Sequence, residues 1–405
     1  MNEELHTNHT HLSTKRTQAV VFAVCYASYV SIYIARLSLT MASPELKATG
    51  ILSASQLGMV ASVFSVVYAV GRLLTGSLGD KVRPFVFISC GLAIAGISNI
   101  LVGFLPPFAS MLVLWALNAF AQSMLWGSVL CAISAVYPEE VARRRNATMV
   151  TSVATGNILG ILAGMYIINT LTLRWAFIIP GIVTLFFCII AFVTLRRLPA
   201  ASSQVAKPRM NMKELLSHSE IRKVALPAMF HGAIRDNITL WMILFFVDRF
   251  AIRLDQSAYY VLVIPVVGLL GRLSYPVLYR MSQGRELAVS RWAFAVCTSA
   301  SVILSVNGGS PFVSAVCLGL SYASVSVANT SFLSIYPTRF SAHGNIASVS
   351  GLMDFCTYLG AGLSSILYGV LIDRFGYAYM FLSWLLLCVV SIGLLGSVMK
   401  KRFIR

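Results

Sequence analysis

Apolar residues in this chain come in long unbroken runs, separated by short stretches marked by charge, proline or glycine. A helix needs about 20 predominantly apolar residues to cross a bilayer, so runs of this length predict transmembrane helices rather than the alternating strands or striped helices of a water-soluble fold. Spans are expected near residues 18–40, 55–77, 84–104, 107–137, 146–170 and 175–195, then near 224–247, 256–279, 292–307, 311–336, 345–371 and 376–398. The predicted fold is an all-α membrane protein of twelve transmembrane helices. Residues 1–17 read as a polar tail, retained because the apolar run behind it is longer than a signal-peptide core and lacks a small-residue cleavage pattern. Residues 18–197 and 224–399 read as two six-helix bundles, 400–405 as a second tail, and 198–223 as a connector rich in Pro199, Ser202, Ser203 and Pro208, with Asn211 and Glu214 as a helix cap.

Composition supports this and removes other classes. Of 405 residues 58% are hydrophobic and only 11% charged, against about 25% charged in a soluble domain, which excludes an ordinary cytosolic enzyme. No Walker loop, Cys/His zinc spacing or hydrolase elbow is present, so no enzymatic activity, cofactor or metal is expected. His6, His9 and His11 fall in the polar tail and read as solvated. All eight cysteines lie inside apolar runs, where no disulfide framework is implied.

The charge balance is 31 − 14 = +17, and its distribution explains it without a nucleic-acid partner. Loops on the side of the termini hold 22 Lys and Arg, and the opposite side holds five (Lys47, Arg174, Arg249, Arg253 and Arg374). Cytoplasmic loops accumulate such residues, so both termini are expected in the cytoplasm and the chain in a bacterial inner membrane. The remaining four of the 31, since 31 − 22 − 5 = 4, lie inside spans: Arg36, Arg72, Arg235 and Arg272. Each costs roughly 2.5–3.5 kcal/mol at a helix centre unless it faces water or a partner. The in-span carboxylates are Asp236 and Asp354, too few to neutralise four arginines. A cationic cavity follows, and with it a small anionic solute, because a guanidinium grips phosphate or carboxylate through two parallel hydrogen bonds. Snorkelling competes with this reading most strongly at Arg72 and Arg272, one or two turns from the cytoplasmic ends of their spans.

An internal repeat runs through the chain. Tyr137-Pro138 recurs as Tyr336-Pro337, Asn146 as Asn345 and Arg36 as Arg235, each at an offset of 199, and Gly71-Arg72-Leu73 recurs as Gly271-Arg272-Leu273 at 200. Two parallel six-helix repeats with a site between them near the midplane match the major facilitator architecture. The motifs go further. Tyr29, Tyr33 and Arg36 share one helix face in the first span. Tyr68 precedes Arg72 by one turn in the second, Gln122-Ser123-Met124-Leu125-Trp126 occupies the fourth, and Arg235 precedes Trp241 by six residues in the seventh, where Asp236-Asn237-Ile238-Thr239 intervenes. Together they resemble the organophosphate:phosphate antiporter family.

That resemblance implies that Arg36 and Arg235 bind the anion, that Tyr29, Tyr33, Tyr68, Arg72, Trp126, Trp241 and Asn157 line its path, and that inorganic phosphate or a proton is the coupling ion. A monomer is expected. Leu37 and Gly156 stand where the glycerol-3-phosphate branch has lysine and histidine, so the arginine pair carries over and the identity of the anion does not. Gly76, Asp80, Lys81 and Arg83, in the loop after the second span, resemble the superfamily gating signature, with Asp80 exchanging partners between conformers. Gly156, Gly160 and Gly164 read as a packing stripe. Asp354 and Asp236 are candidate coupling carboxylates if the solute is instead a carboxylate or sugar acid moved with protons. A membrane sensor of sugar phosphate is the alternative of another class, and cationic drug export is opposed by the excess of arginine.

Overall fold

No water is present in hydrocarbon to satisfy a backbone, so each apolar run must close its own hydrogen bonds as a helix. In the computed structural model, which describes residues 15–78, 82–197, 215, 217–306, 310–343 and 346–402, twelve such helices follow one another. They are α1 (Lys15–Ala48), α2 (Ala54–Leu78), α3 (Pro84–Gly103), α4 (Phe108–Ser134), α5 (Glu139–Thr170), α6 (Trp175–Leu195), α7 (Ser219–Phe250), α8 (Leu254–Met281), α9 (Glu286–Val306), α10 (Pro311–Phe340), α11 (Ile346–Phe375) and α12 (Tyr377–Arg402). Helix α4 breaks at Met124, and α10 passes from α-helix through a π turn at Ser331–Ile335 into a 3-10 turn. Eleven of the twelve are long and apolar enough to cross a bilayer. The exception is α7, whose central His231, Arg235, Asp236 and Asn237 interrupt its apolar run.

Several helices overrun the apolar runs that predicted them. Helix α1 starts at Lys15 and continues to Ala48, and α7 starts at Ser219, inside the stretch read as connector. Polar first and last turns cost nothing once they stand clear of the hydrocarbon, so the helix outlasts its hydrophobic stretch. The connector residues 198–214 lie outside the described residues.

Close helix approach rests on glycines, because lipid-exposed helices gain little from burying apolar surface and must gain from contact. The stripe of Gly156, Gly160 and Gly164 on α5 packs against Val30 and Tyr33, then Ile34 and Leu37, then Met41 of α1. Between α7 and α11 the approach is tighter still: a Cβ at Gly232 would strike the carbonyl of Thr357, and one at Gly360 that of Met229. The repeat appears in the packing as well. Gly71 of α2 abuts Ser123 of α4, and Gly271 of α8 abuts Ala323 of α10, the same relation at an offset of 200.

Helices from the first six meet helices from the last six along α2 with α11, α5 with α8 and α1 with α7. At the end of the bundle opposite Lys15 and Arg402, polar bonds fasten the two sets together. Lys47 Nζ donates to Asp248 Oδ2 at 2.6 Å, the Tyr377 hydroxyl donates to the same oxygen at 2.9 Å, and Asp373 Oδ2 accepts from the Ser55 amide at 2.7 Å. Nearer the termini, some polar contacts run within each set, Tyr137 to the Gln18 carbonyl and Arg339 to both Glu220 and Glu286, while Arg72 and Asp354 pair across the sets. The bundle is thus closed at the far end. A Lys47→Cys/Asp248→Cys pair should cross-link readily in the unliganded protein, seen as a mobility shift on non-reducing gels. Efficient cross-linking only after solute is added would contradict this closure.

Candidate functional site

Tyr29, Tyr33 and Arg36 stand on one face of α1 because positions four and seven apart return to the same side of a helix. The close approach of Gly156 presses Tyr33 inward. Arg36 then reaches across the midline into an aromatic enclosure, its guanidinium carbon 4.7 Å from the ring centre of Phe64, 5.5 Å from Tyr68, 5.7 Å from Tyr358 and 5.8 Å from Tyr33. Ring faces are negative, so they stabilise a cation by about 0.5–2 kcal/mol while leaving its N–H groups free to bind an anion.

Arg235 approaches from α7. Its Nε donates to Asp236 Oδ1 at 2.7 Å, one Nη donates to Asn329 Oδ1 at 3.1 Å, and the guanidinium lies 5.3 Å from the centre of the Tyr358 ring. The second Asp236 oxygen lies 3.8 Å from an Arg36 Nη. One carboxylate therefore bridges two arginines from opposite sets of six helices, with Tyr358 of α11 against both.

This cluster opens on a cavity of about 130 Å³ whose wall includes Tyr33, Arg36, Asn157, Arg235, Asp236 and Arg272. Three arginines and one carboxylate line it, a balance of 3 − 1 = +2. Phe64, Trp115, Thr239, Tyr322 and Tyr358 also line it. The expectation that in-span carboxylates cannot neutralise every in-span arginine corresponds to this excess of positive charge.

The other candidate residues occupy different surroundings. Arg72 does not line the cavity; its Nε lies 3.3 Å from Asp354 Oδ2, an ion pair that links α2 to α11. Tyr29 is buried between Tyr33 and Trp126, with ring centres at 5.4 and 4.9 Å, so it and Trp126 support the cavity wall from behind. Tyr68 does not line the cavity; its ring packs tilted against Tyr358 at 4.5 Å and lies 5.5 Å from the Arg36 guanidinium, behind the wall. Trp241 lies away from the cavity: its Nε1 donates to Asn237 Oδ1 at 2.9 Å, and Asn237 donates in turn to Ser364 at 2.8 Å. The seven-residue segment from Arg235 to Trp241 spans almost two turns, which puts the indole on a different level and lets a buried polar pair claim it.

Of the gating motif, Gly76 lies in the last turns of α2 and Arg83 stands exposed before Pro84 at the start of α3, while Asp80 and Lys81 fall outside the described residues. Among the described residues no cluster of three or more metal-ligating side chains is present. Sequence reasoning passed over Tyr358, Phe64 and Asn329. Tyr358 carried a signal, since it stands one turn after Asp354 on the same face of α11.

The sequence profile of the Major Facilitator Superfamily matches residues 25–365. The Phosphoglycerate transporter protein of Salmonella typhimurium is 23% identical over 409 residues, covering 90% of this chain and 86% of that protein. The Glycerol-3-phosphate transporter of Bacillus subtilis is 20% identical over 420 residues, covering 94% and 92%. The Membrane sensor protein UhpC of Escherichia coli is 38% identical over a shorter 112 residues, 28% of this chain and 25% of the sensor, so the matched stretch spans a quarter of that relative's length. Among solved structures, the nucleoside transporter NupG superposes with a TM-score of 0.74 at 14% identity, covering 95% of this chain and 98% of NupG, a likeness of fold.

The Arg72–Asp354 pair yields a stability test. Arg72→Gln and Asp354→Asn should each lower the melting temperature of the purified protein, because each strands a partly buried charge, at a cost below the roughly 3–5 kcal/mol of a fully buried pair. The double variant should recover most of the loss. Additive destabilisation in the double variant would show that the pair does not act as a unit.

Proposed function

Because the chain belongs to the Major Facilitator Superfamily, we propose that it is a secondary active transporter of an organic anion, a phosphate ester or a similar metabolite, which its two six-helix halves expose alternately to either side of the membrane. The observation that carries this reading is the meeting of Arg36 from α1 and Arg235 from α7 around a single carboxylate, in a cavity with a balance of +2. Names of relatives agree with it: phosphoglycerate, glycerol-3-phosphate and hexose phosphate transport.

In this reading Asp236 is a resident anion that holds the two halves in register while the site is empty. Its contact to Arg36, at 3.8 Å, is longer than the 2.7 Å bond to Arg235, so an incoming phosphate displaces it from Arg36 first. The phosphate then accepts hydrogen bonds from both guanidinium groups, joining the halves more strongly than one shared carboxylate does. That differential contact is what a solute needs in order to shift the population between conformers. Lys47, Asp248, Ser55 and Asp373 fasten the halves at the far end, and Arg72 with Asp354 pairs them on the side of the termini, which the loop charges assign to the cytoplasm of a bacterial inner membrane. The protein functions as a monomer, with inorganic phosphate as the counter-solute.

The rival reading of proton-coupled carboxylate transport would use Asp236 or Asp354 as the coupling group, and both are engaged in ion pairs with arginines. The sensor reading draws on the 38% identity to UhpC, and a sensor would bind solute without moving it.

Counterflow in proteoliposomes separates the three. Labelled phosphate should exchange against internal phosphate or phosphate esters without a pH gradient. Dependence on the gradient would favour the proton-coupled rival, and binding without exchange the sensor. Arg36→Gln and Arg235→Gln should each weaken the apparent affinity for phosphate about 100-fold, since two charge-assisted hydrogen bonds of roughly 1.5 kcal/mol each are lost and 1.4 kcal/mol is a factor of ten. An affinity within threefold of wild type in either variant would refute the assignment.

A further inference from the structure

Of the four arginines inside spans, Arg272 alone has no anionic partner among the described residues. Arg36 and Arg235 share Asp236, and Arg72 holds Asp354. Among the described residues no ion pair or hydrogen bond engages the Arg272 guanidinium, although it lines the same cavity. The repeat explains why. Arg72 and Arg272 are counterparts at an offset of 200, and the α2–α11 contact has its counterpart in the contact of α8 with α5. The position on α5 matching Asp354 is Ala154 at an offset of 200, or Thr155 at 199, and neither carries a charge. The first arginine of the repeat thus meets an acid from the opposite half, while the second meets none.

Arg272 also stands on a different level from Arg235. Phe250 ends α7 and Leu254 begins α8 after three residues, so those helix ends share a depth. Arg235 lies fifteen residues before the first and Arg272 eighteen after the second, a difference of about 4.5 Å along the helix axes toward the side of the termini. A charge in such a wall is costly unless water or an anion completes it.

From this we infer that Arg272 is the anchor for a second anionic group, so that the preferred solute is a phosphate ester that also bears a carboxylate a few bonds away. The inference rests on the proposed anion-transport reading and narrows it. The phosphate occupies Arg36 and Arg235, and the carboxylate takes the place at Arg272 that Asp354 takes at Arg72.

A matched pair of probes tests it. Glycerol 3-phosphate and 3-phosphoglycerate share a skeleton and differ by a hydroxymethyl group against a carboxylate. Isothermal titration of the full-length protein in detergent should show 3-phosphoglycerate bound at least tenfold more tightly. Arg272→Gln should bring that ratio near one, and Arg272→Lys should keep part of it by supplying a charge without the fork. Equal weakening of both probes in Arg272→Gln would overturn the inference, because Arg272 would then belong to the phosphate subsite. A wild-type protein that binds both alike would overturn it too while leaving the anion reading standing. A wild-type protein that binds neither probe nor inorganic phosphate would remove both. Should Arg272→Gln not fold, the wild-type ratio and Arg272→Lys decide.

Discussion

Charge inside a low-dielectric bundle must be paired or hydrated, and this chain places four arginines and two aspartates inside its spans. The rest of the site follows from how those six groups are shared. Asp236 serves two arginines from opposite halves, Asp354 serves one across the α2–α11 contact, and Arg272 is left to the cavity. A bundle of neutral residues would have no reason to keep a wet centre. Here the cavity carries a balance of +2, and aromatic rings around Arg36 hold its guanidinium in place beside Asp236.

Packing makes this arrangement reachable. Glycines bring α5 against α1 and α11 against α7, and so carry Tyr33 and Tyr358 to the cavity wall. The α2–α4 and α8–α10 contacts repeat each other through Gly71 and Gly271. Two arginines thereby begin from equivalent positions, yet one partner residue, Asp354 against Ala154 or Thr155, separates their roles. On the proposed reading, the divergence of two halves built alike is where specificity enters.

Much of this was legible before any coordinates. Twelve apolar runs gave twelve helices, and the cost of buried charge singled out Arg36 and Arg235. The run near 224–247 predicted α7 as well, although its central charges keep it outside the eleven helices that are apolar enough to cross a bilayer. What stayed hidden was direction. A transmembrane helix is apolar on its lipid face and apolar where it packs, so no polar stripe reveals which side meets the cavity. Hence Trp241 was expected in the pathway and lies with Asn237, while Tyr358 and Phe64 went unremarked among similar aromatic residues. The pairing of Arg72 with Asp354 bridges residues 282 apart, a separation no local pattern encodes.

The central claim is that the guanidinium groups of Arg36 and Arg235 jointly hold an oxyanion between the two halves. Its most direct test is a crystal structure of the protein soaked in tungstate, a heavy tetrahedral stand-in for phosphate, with anomalous scattering to place the metal. The account predicts one dominant peak within hydrogen-bonding reach of both guanidinium groups, with Asp236 turned away from Arg36. An ordered cavity with no tungsten peak, and Asp236 still bridging both arginines at saturating tungstate, would contradict it.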